Sequence, residues 1–373
     1  MLRVLKTKLP QFAFLSICLV AGLVAVGAEV VPAFRECHEL LLPAVEVTAA
    51  RSVIANQYLD RQAANWVDQH SCVSCHTVVP FVVGRSGAGS LATEAFVEIE
   101  ALVKKRVNAE TLPAPWYSGS HTHSSHATES VVNSLILSKI DSLKGTGRTS
   151  ATTLKAFRKM AELQNADGSW EWLDFNLQPW ETQEAAPYGA SLAAVAISRS
   201  PARARPEFRE MIRKMKAYLK SSSEDANLSL WNRMSVLWAE SEITGVMSAE
   251  VISKTLSELM SKQLPSGGFS MNHLGTWKKK GRFPEARANT ADGYATAYSL
   301  FILKQVNDHG QIPEALKPRF NAVMHDGVNW LVDHQTASGT WTSASLNNTD
   351  DFNKGLVEDA ATGFALAVLN RAQ

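Results

Sequence analysis

The chain has 373 residues, of which 45% are hydrophobic and 20% charged. That content suffices for a large buried core and excludes extended disorder. Lys and Arg number 37 against 36 for Asp and Glu. The balance, with no basic aromatic-studded patch, gives no footing for a nucleic-acid partner.

The N-terminus has the layout of an export signal. Arg3, Lys6 and Lys8 precede an apolar run from Phe12 to Val26, and Val26-Gly27-Ala28 supplies small residues where a peptidase cuts. Residues 1–28 are therefore expected to be a signal peptide, 29–50 an N-terminal extension and 51–373 the folded domain. The apolar run is short of the roughly 20 residues a membrane span needs. An uncleaved anchor is the alternative; after cleavage no stable span is expected. The protein should then act in the periplasm or cell envelope. The mature chain carries 34 basic and 36 acidic residues. Cys18 leaves with the signal. Cys37, Cys72 and Cys75 remain, an odd set that does not suit a disulfide framework.

Residues 52–69 read as a charged amphipathic helix. Behind it comes His70-Ser71-Cys72-Val73-Ser74-Cys75-His76-Thr77. Two thiols at this spacing can add to the two vinyl groups of one haem, and the adjacent His76 then serves as proximal iron ligand. Covalent haem of this kind is made outside the cytosol, in agreement with the signal. The same residues also allow a Cys72–Cys75 disulfide or a zinc site completed by two histidines. The sixth iron position has candidates in His121, His123 and His126, which cluster in a polar stretch read as a loop. His38, beside Cys37, is a more remote one.

A helix over 129–140 follows. Beyond it, three segments repeat one pattern. An apolar residue, a Gln four on, a Gly four further and an aromatic two after that occur at Met160, Gln164, Gly168 and Trp170. They recur at Leu259, Gln263, Gly267 and Phe269, and at Leu331, Gln335, Gly339 and Trp341. The apolar residue and the Gln share one helix face. The Gly permits a tight exit, the aromatic folds back over the helix end, and the Gln amide satisfies free backbone groups there. The preceding helices (153–163, 250–262, 319–334) are charged and amphipathic. The following ones (188–197, 291–303, 357–369) are apolar almost all round, so they must be buried. With a further pair at 208–220 and 228–239, and the front pair 52–69 with 129–140, five outer–inner hairpins are expected. The fold class is all-α, an α/α toroid. In one shared register, Val67, Ser71, Cys75 and Thr77 stand where a repeat has its apolar residue, Gln, Gly and aromatic.

The Gln-x3-Gly-x-Trp turns resemble the QW repeats of squalene and hopene cyclases, whose toroid superfamily includes protein prenyltransferase β subunits. With Cys-Val-Ser-Cys-His-Thr, Val79-Pro80-Phe81 and Ala127-Thr128-Glu129-Ser130-Val131, the chain resembles exported bacterial squalene-cyclase-like proteins. The resemblance implies a central apolar cavity and an isoprenoid-like ligand. Trp180, Tyr188, Trp231, Trp238, Tyr294, Tyr298, Phe301 and Phe364 would line that cavity or fill the core. It also implies a catalytic Asp-x-Asp-Asp, which the chain lacks. Asn289-Thr290-Ala291-Asp292 and Glu358-Asp359 stand at the matching helix starts. Asp292 and Asp359 are thus the candidate proton donors, or else helix N-terminal residues that suit the dipole. Asp350-Asp351 reads as solvated loop.

Three functions remain open at this point. One is a haem toroid that transfers electrons to a partner protein or holds an apolar small molecule. The second is a divergent cyclase or haem-dependent oxidoreductase acting on an isoprenoid. The third is a structural interaction toroid with a Cys72–Cys75 disulfide.

Overall fold

The structure, a computed structural model, describes residues 52–85, 91–109, 122–278, 290–347 and 351–370. The expected signal and extension, with Cys37, His38 and His121, lie outside these residues. Residues 55–373 make one compact unit, and residues 1–54 a second one of which only 52–54 are described.

Twelve α-helices alternate between two rings among the described residues. The outer ones are α1 (residues 52–70), α3 (Glu94–Asn108), α5 (Ala151–Glu162), α7 (Arg209–Glu224), α9 (Ala249–Ser261) and α11 (Lys317–Asp333). The inner ones are α2 (Val78–Gly84), α4 (Thr122–Leu143), α6 (Ala186–Ser198), α8 (Leu230–Glu242), α10 (Gly293–Asp308) and α12 (Asp351–Leu369). Each inner helix packs on the next, and α12 returns to α2, so the inner ring closes. The chain is an all-α toroid.

The sequence pattern explains the two rings. Helix α5 buries Thr153, Ala156, Phe157 and Met160, one stripe at helical spacing, and α7 does the same with Met211, Met215 and Leu219. Helix α6 instead buries every residue from Pro187 to Ser198. Ser150, Ser229 and Ser248 accept the backbone N–H three residues on and start α5, α8 and α9. At the seam, a Cβ on Gly84 would stand 2.4 Å from the Gly363 carbonyl oxygen, and one on Gly363 2.4 Å from that of Pro80. Only hydrogen at both positions lets α2 lie against α12 backbone to backbone.

The three repeat turns work as the sequence indicates. Gln164, Gln263 and Gln335 each donate from Nε2 to the carbonyl of the Gly four residues on, at 3.0, 2.8 and 3.0 Å. Gln164 and Gln263 also reach the next outer helix, donating to Met211 O at 3.0 Å and Val323 O at 2.9 Å. Trp170 and Trp341 fold back and donate their indole N–H to Met160 O and Leu331 O, at 2.8 and 2.7 Å. Each turn thus closes its own helix end, and the first two also clip their outer helix to the next.

The structure corrects three expectations. Among the described residues there are six hairpins, not five: α1 is followed by α2, and α3 by α4. Helix α2 has only seven residues, Val-Val-Pro-Phe-Val-Val-Gly, and an apolar run that short carries no helical period. Helix α4 begins at Thr122, so His123 and His126 sit on a helix, not in a loop. Helix α12 begins at Asp351, so Asp351 opens a helix and Asp359 lies in its third turn rather than at its start.

Candidate functional site

The Cys-x-x-Cys-His segment forms the crossing from outer α1 to inner α2. Ser71 ends α1 in the left-handed conformation (φ 51°), and its N–H closes on Val67 O at 2.9 Å. The Ser74 hydroxyl then accepts from the N–H groups of Thr77 (3.2 Å) and Val78 (3.3 Å) and so caps the coming helix. Cys75, His76 and Thr77 are the turn that opens α2. The left-handed residue is Ser71 and not Cys75, so this crossing does not copy the register of the repeat turns. Cys72, Cys75 and His76 are each only 2% exposed, and no disulfide joins the two cysteines.

A chain of hydrogen bonds fixes the imidazole. Thr77 Oγ1 donates to Asp359 Oδ2 at 2.8 Å, and His76 Nδ1 lies 3.1 Å from that same Oγ1. A hydroxyl has one proton, and here Asp359 takes it. The Thr77 oxygen must therefore accept, which puts the imidazole proton on Nδ1 and the lone pair on Nε2. Tyr58 of α1 donates to the other carboxylate oxygen, Asp359 Oδ1, at 2.7 Å. Burial, with a smaller push from His70, lowers the His76 pKa to about 3 and holds the ring neutral. Burial raises the Asp359 carboxyl to about 6, against the opposing hydrogen bonds from Tyr58 and Thr77.

Around this chain stand aromatic rings. Trp66 meets His76 edge-on at 4.6 Å and stacks on His70 at 4.0 Å, and Trp180 lies 5.9 Å from His76. The Trp66 indole nitrogen is buried with no hydrogen-bond partner among the described residues. Beside Cys75 sits Glu181, held in the tight reversal Leu177–Glu181 ahead of α6. Burial pushes its carboxyl up to about 7, countered by a hydrogen bond from the Cys75 thiol. Burial, followed by the charge of Glu181, pushes the Cys75 thiol up in turn.

The eight aromatics expected at the centre are all buried, and they form one continuous cluster. Trp180 and Trp231 donate their indole N–H to the Tyr294 hydroxyl, at 2.9 and 3.3 Å. Tyr188 packs on Trp231 at 5.0 Å, Tyr298 on Phe364 at 5.0 Å, and Phe301 on both Phe364 and Trp238 at 5.0 Å. Helices α6, α8, α10 and α12 all contribute rings, which therefore touch across the inner ring.

The other candidates take different places. Asp292 is the N-cap of α10, with Oδ1 accepting from Ala295 N and Oδ2 from Met271 N, both at 2.9 Å. Burial raises it to about 6, against those hydrogen bonds. His123 faces Glu171 at 3.9 Å and His126 faces Glu129 at 3.7 Å, and neither contact involves His76. No group of three or more His, Cys, Asp or Glu side chains converges as a metal site among the described residues. Sequence reasoning found Asp359 but not its partner. It missed Tyr58 and Glu181 as site residues altogether, and took Thr77 only as a stand-in for an aromatic.

No known family and no curated protein matches the chain. Among solved structures it is similar to one titled Polysaccharide Lyase BACCELL_00875, at TM-score 0.52 and 11% identity, over 87% of this chain and 96% of that one. A possible member of the GH105 family from Salmonella enterica serovar Paratyphi A aligns over 86% of this chain and 81% of its own, at 10% identity and TM-score 0.37. At that score the second likeness carries no argument, and at 11% identity the first is one of fold alone.

Proposed function

We propose that the chain is an exported toroid that carries one covalent haem c on Cys72, Cys75 and His76, and that it transfers electrons to a redox partner protein or holds an apolar, isoprenoid-like molecule. The observation that carries the reading is the state of His76. It is neutral, its Nδ1–H is taken by Thr77, and its Nε2 lone pair is left as a donor on the residue that directly follows Cys75. Iron needs an imidazole in that tautomer.

The donor set fits the group. Two thiols that no disulfide joins suit two thioethers, and a neutral imidazole follows the second. Trp66, which meets the His76 ring edge-on, has a buried indole N–H without a partner among the described residues. Bound there, a haem would supply a one-electron ferric–ferrous couple or an iron able to take a small ligand. The chain's part is to hold. Cys72 and Cys75 would anchor the group and His76 would give it an imidazole nitrogen, while Thr77 and Asp359 fix the His76 ring and Trp66 and Trp180 flank it. The export signal supports the compartment such chemistry requires, and the QW-like turns support kinship with squalene-cyclase-like proteins. Among the described residues no helix is long and apolar enough to cross a membrane.

Intact-mass measurement tests the attachment. Chain made in a host with c-type maturation should carry the mass of one haem after denaturation, and Cys72→Ala/Cys75→Ala should carry none. Unmodified chain with both thiols open to alkylation after denaturation would overturn the reading.

A further inference from the structure

The hydrogen-bond chain behind His76 ends in a branch. Asp359 Oδ2 accepts from Thr77, which in turn accepts from His76, while Asp359 Oδ1 accepts from Tyr58. These four residues come from α1, the opening of α2 and the third turn of α12, and Tyr58 and Asp359 are 301 positions apart in the chain. The two arms act in opposite senses. The carboxylate draws the Thr77 proton toward itself, which makes the Thr77 oxygen a better acceptor. That pulls the imidazole N–H toward Thr77 and makes Nε2 a stronger donor. The Tyr58 O–H takes up part of the same negative charge and weakens the pull.

We infer that Asp359 and Tyr58, acting through Thr77, are opposed positioning residues that set the reduction potential of an iron held by His76. The inference rests on the haem reading. A stronger imidazole donor favours the ferric iron, so Asp359 lowers the potential and Tyr58 raises it. A network that serves only to close the toroid would lower stability when cut, with no opposite sign at iron.

The test uses the full haem-loaded chain, titrated at an optically transparent electrode so that one electron passes between electrode and iron through mediators. Asp359→Asn and Thr77→Val should each raise the potential, with the ferrous-to-ferric ratio at a fixed applied potential rising by about tenfold. Thr77→Ser, which keeps the hydroxyl, should match the parent. Tyr58→Phe should shift the ratio the other way. The iron–histidine stretching frequency of the ferrous form should fall in the first two variants and rise in Tyr58→Phe. If Asp359→Asn does not fold, the opposed pair Thr77→Val and Tyr58→Phe still decides the matter. Haem-loaded variants with unmoved potentials, or with Tyr58→Phe and Thr77→Val shifted in the same direction, would overturn the inference and leave the haem reading standing. A parent chain that takes no covalent haem would overturn both.

Discussion

The repeat turns make a claim about packing that one substitution can isolate. Gly168 has φ 99°, and a Cβ built on it would lie 2.2 Å from the Lys214 carbonyl oxygen and 2.5 Å from its carbon, both backbone atoms of α7. Gly145 also has positive φ, 64°, but a Cβ there meets nothing within 4 Å. Gly145→Ala should cost only the left-handed conformation, about 1 kcal/mol. Gly168→Ala should cost that conformation and in addition force α5 and α7 apart. Overpacking of this kind adds about 1–3 kcal/mol, for a total of about 2–4 kcal/mol. The displacement also stretches the bond from Gln164 to Met211 O, 3.0 Å in the intact turn. Urea denaturation followed by tryptophan fluorescence compares the two variants directly. Equal losses in Gly145→Ala and Gly168→Ala would refute the idea that the turn glycines seat one outer helix on the next.

Three further outcomes follow from the interior. Tyr294→Phe removes the shared acceptor of the Trp180 and Trp231 indoles and should cost about 2–4 kcal/mol in the same urea assay, since two buried donors are left without partners. Glu129→Ala removes one partner of Arg106, itself only 10% exposed, and should cost about 3 kcal/mol; pairing it with Arg106→Met should restore much of the loss. Asp292 has its pKa raised from 3.8 to about 6 by burial, so the folded chain binds this proton more tightly than the unfolded one. That stability is fully present below pH 3.8 and is lost as pH rises through about 6. Asp292→Asn keeps an oxygen for the Ala295 N–H. Its urea midpoint should therefore fall less than the parent's between pH 4 and pH 6; parallel curves would mean that the carboxyl does not titrate there.

The outer–inner alternation was legible because its signals are local and repeated. Gln164, Gln263 and Gln335, each with its Gly and aromatic, mark three helix ends, and the charged-then-apolar contrast assigns each helix to a ring. Helix α2 escaped notice because seven residues around Pro80 show no period, although α2 closes the ring. Helix α3 escaped with it, although its buried Ala95, Phe96, Ile99, Val103 and Val107 do follow a helical stripe. At the site, the two cysteines and His76 were legible as a motif, and Asp359 as an acid worth testing. Its role was not. The extra turns at the start of α12 move Asp359 from a helix end to a position opposite Thr77. Tyr58, which meets it, lies on the far side of the sequence. Glu181 is a lone acid in a turn, and only the folding of that turn against Cys75 gives it a place.

The most direct measurement is the reduced pyridine-haemochrome spectrum of the full chain, made in a host with c-type maturation and denatured before reading. A covalent c-type signal at one haem per chain should appear, and it should disappear in Cys72→Ala/Cys75→Ala. A colourless chain made under the same conditions, with its cysteines intact, would contradict it.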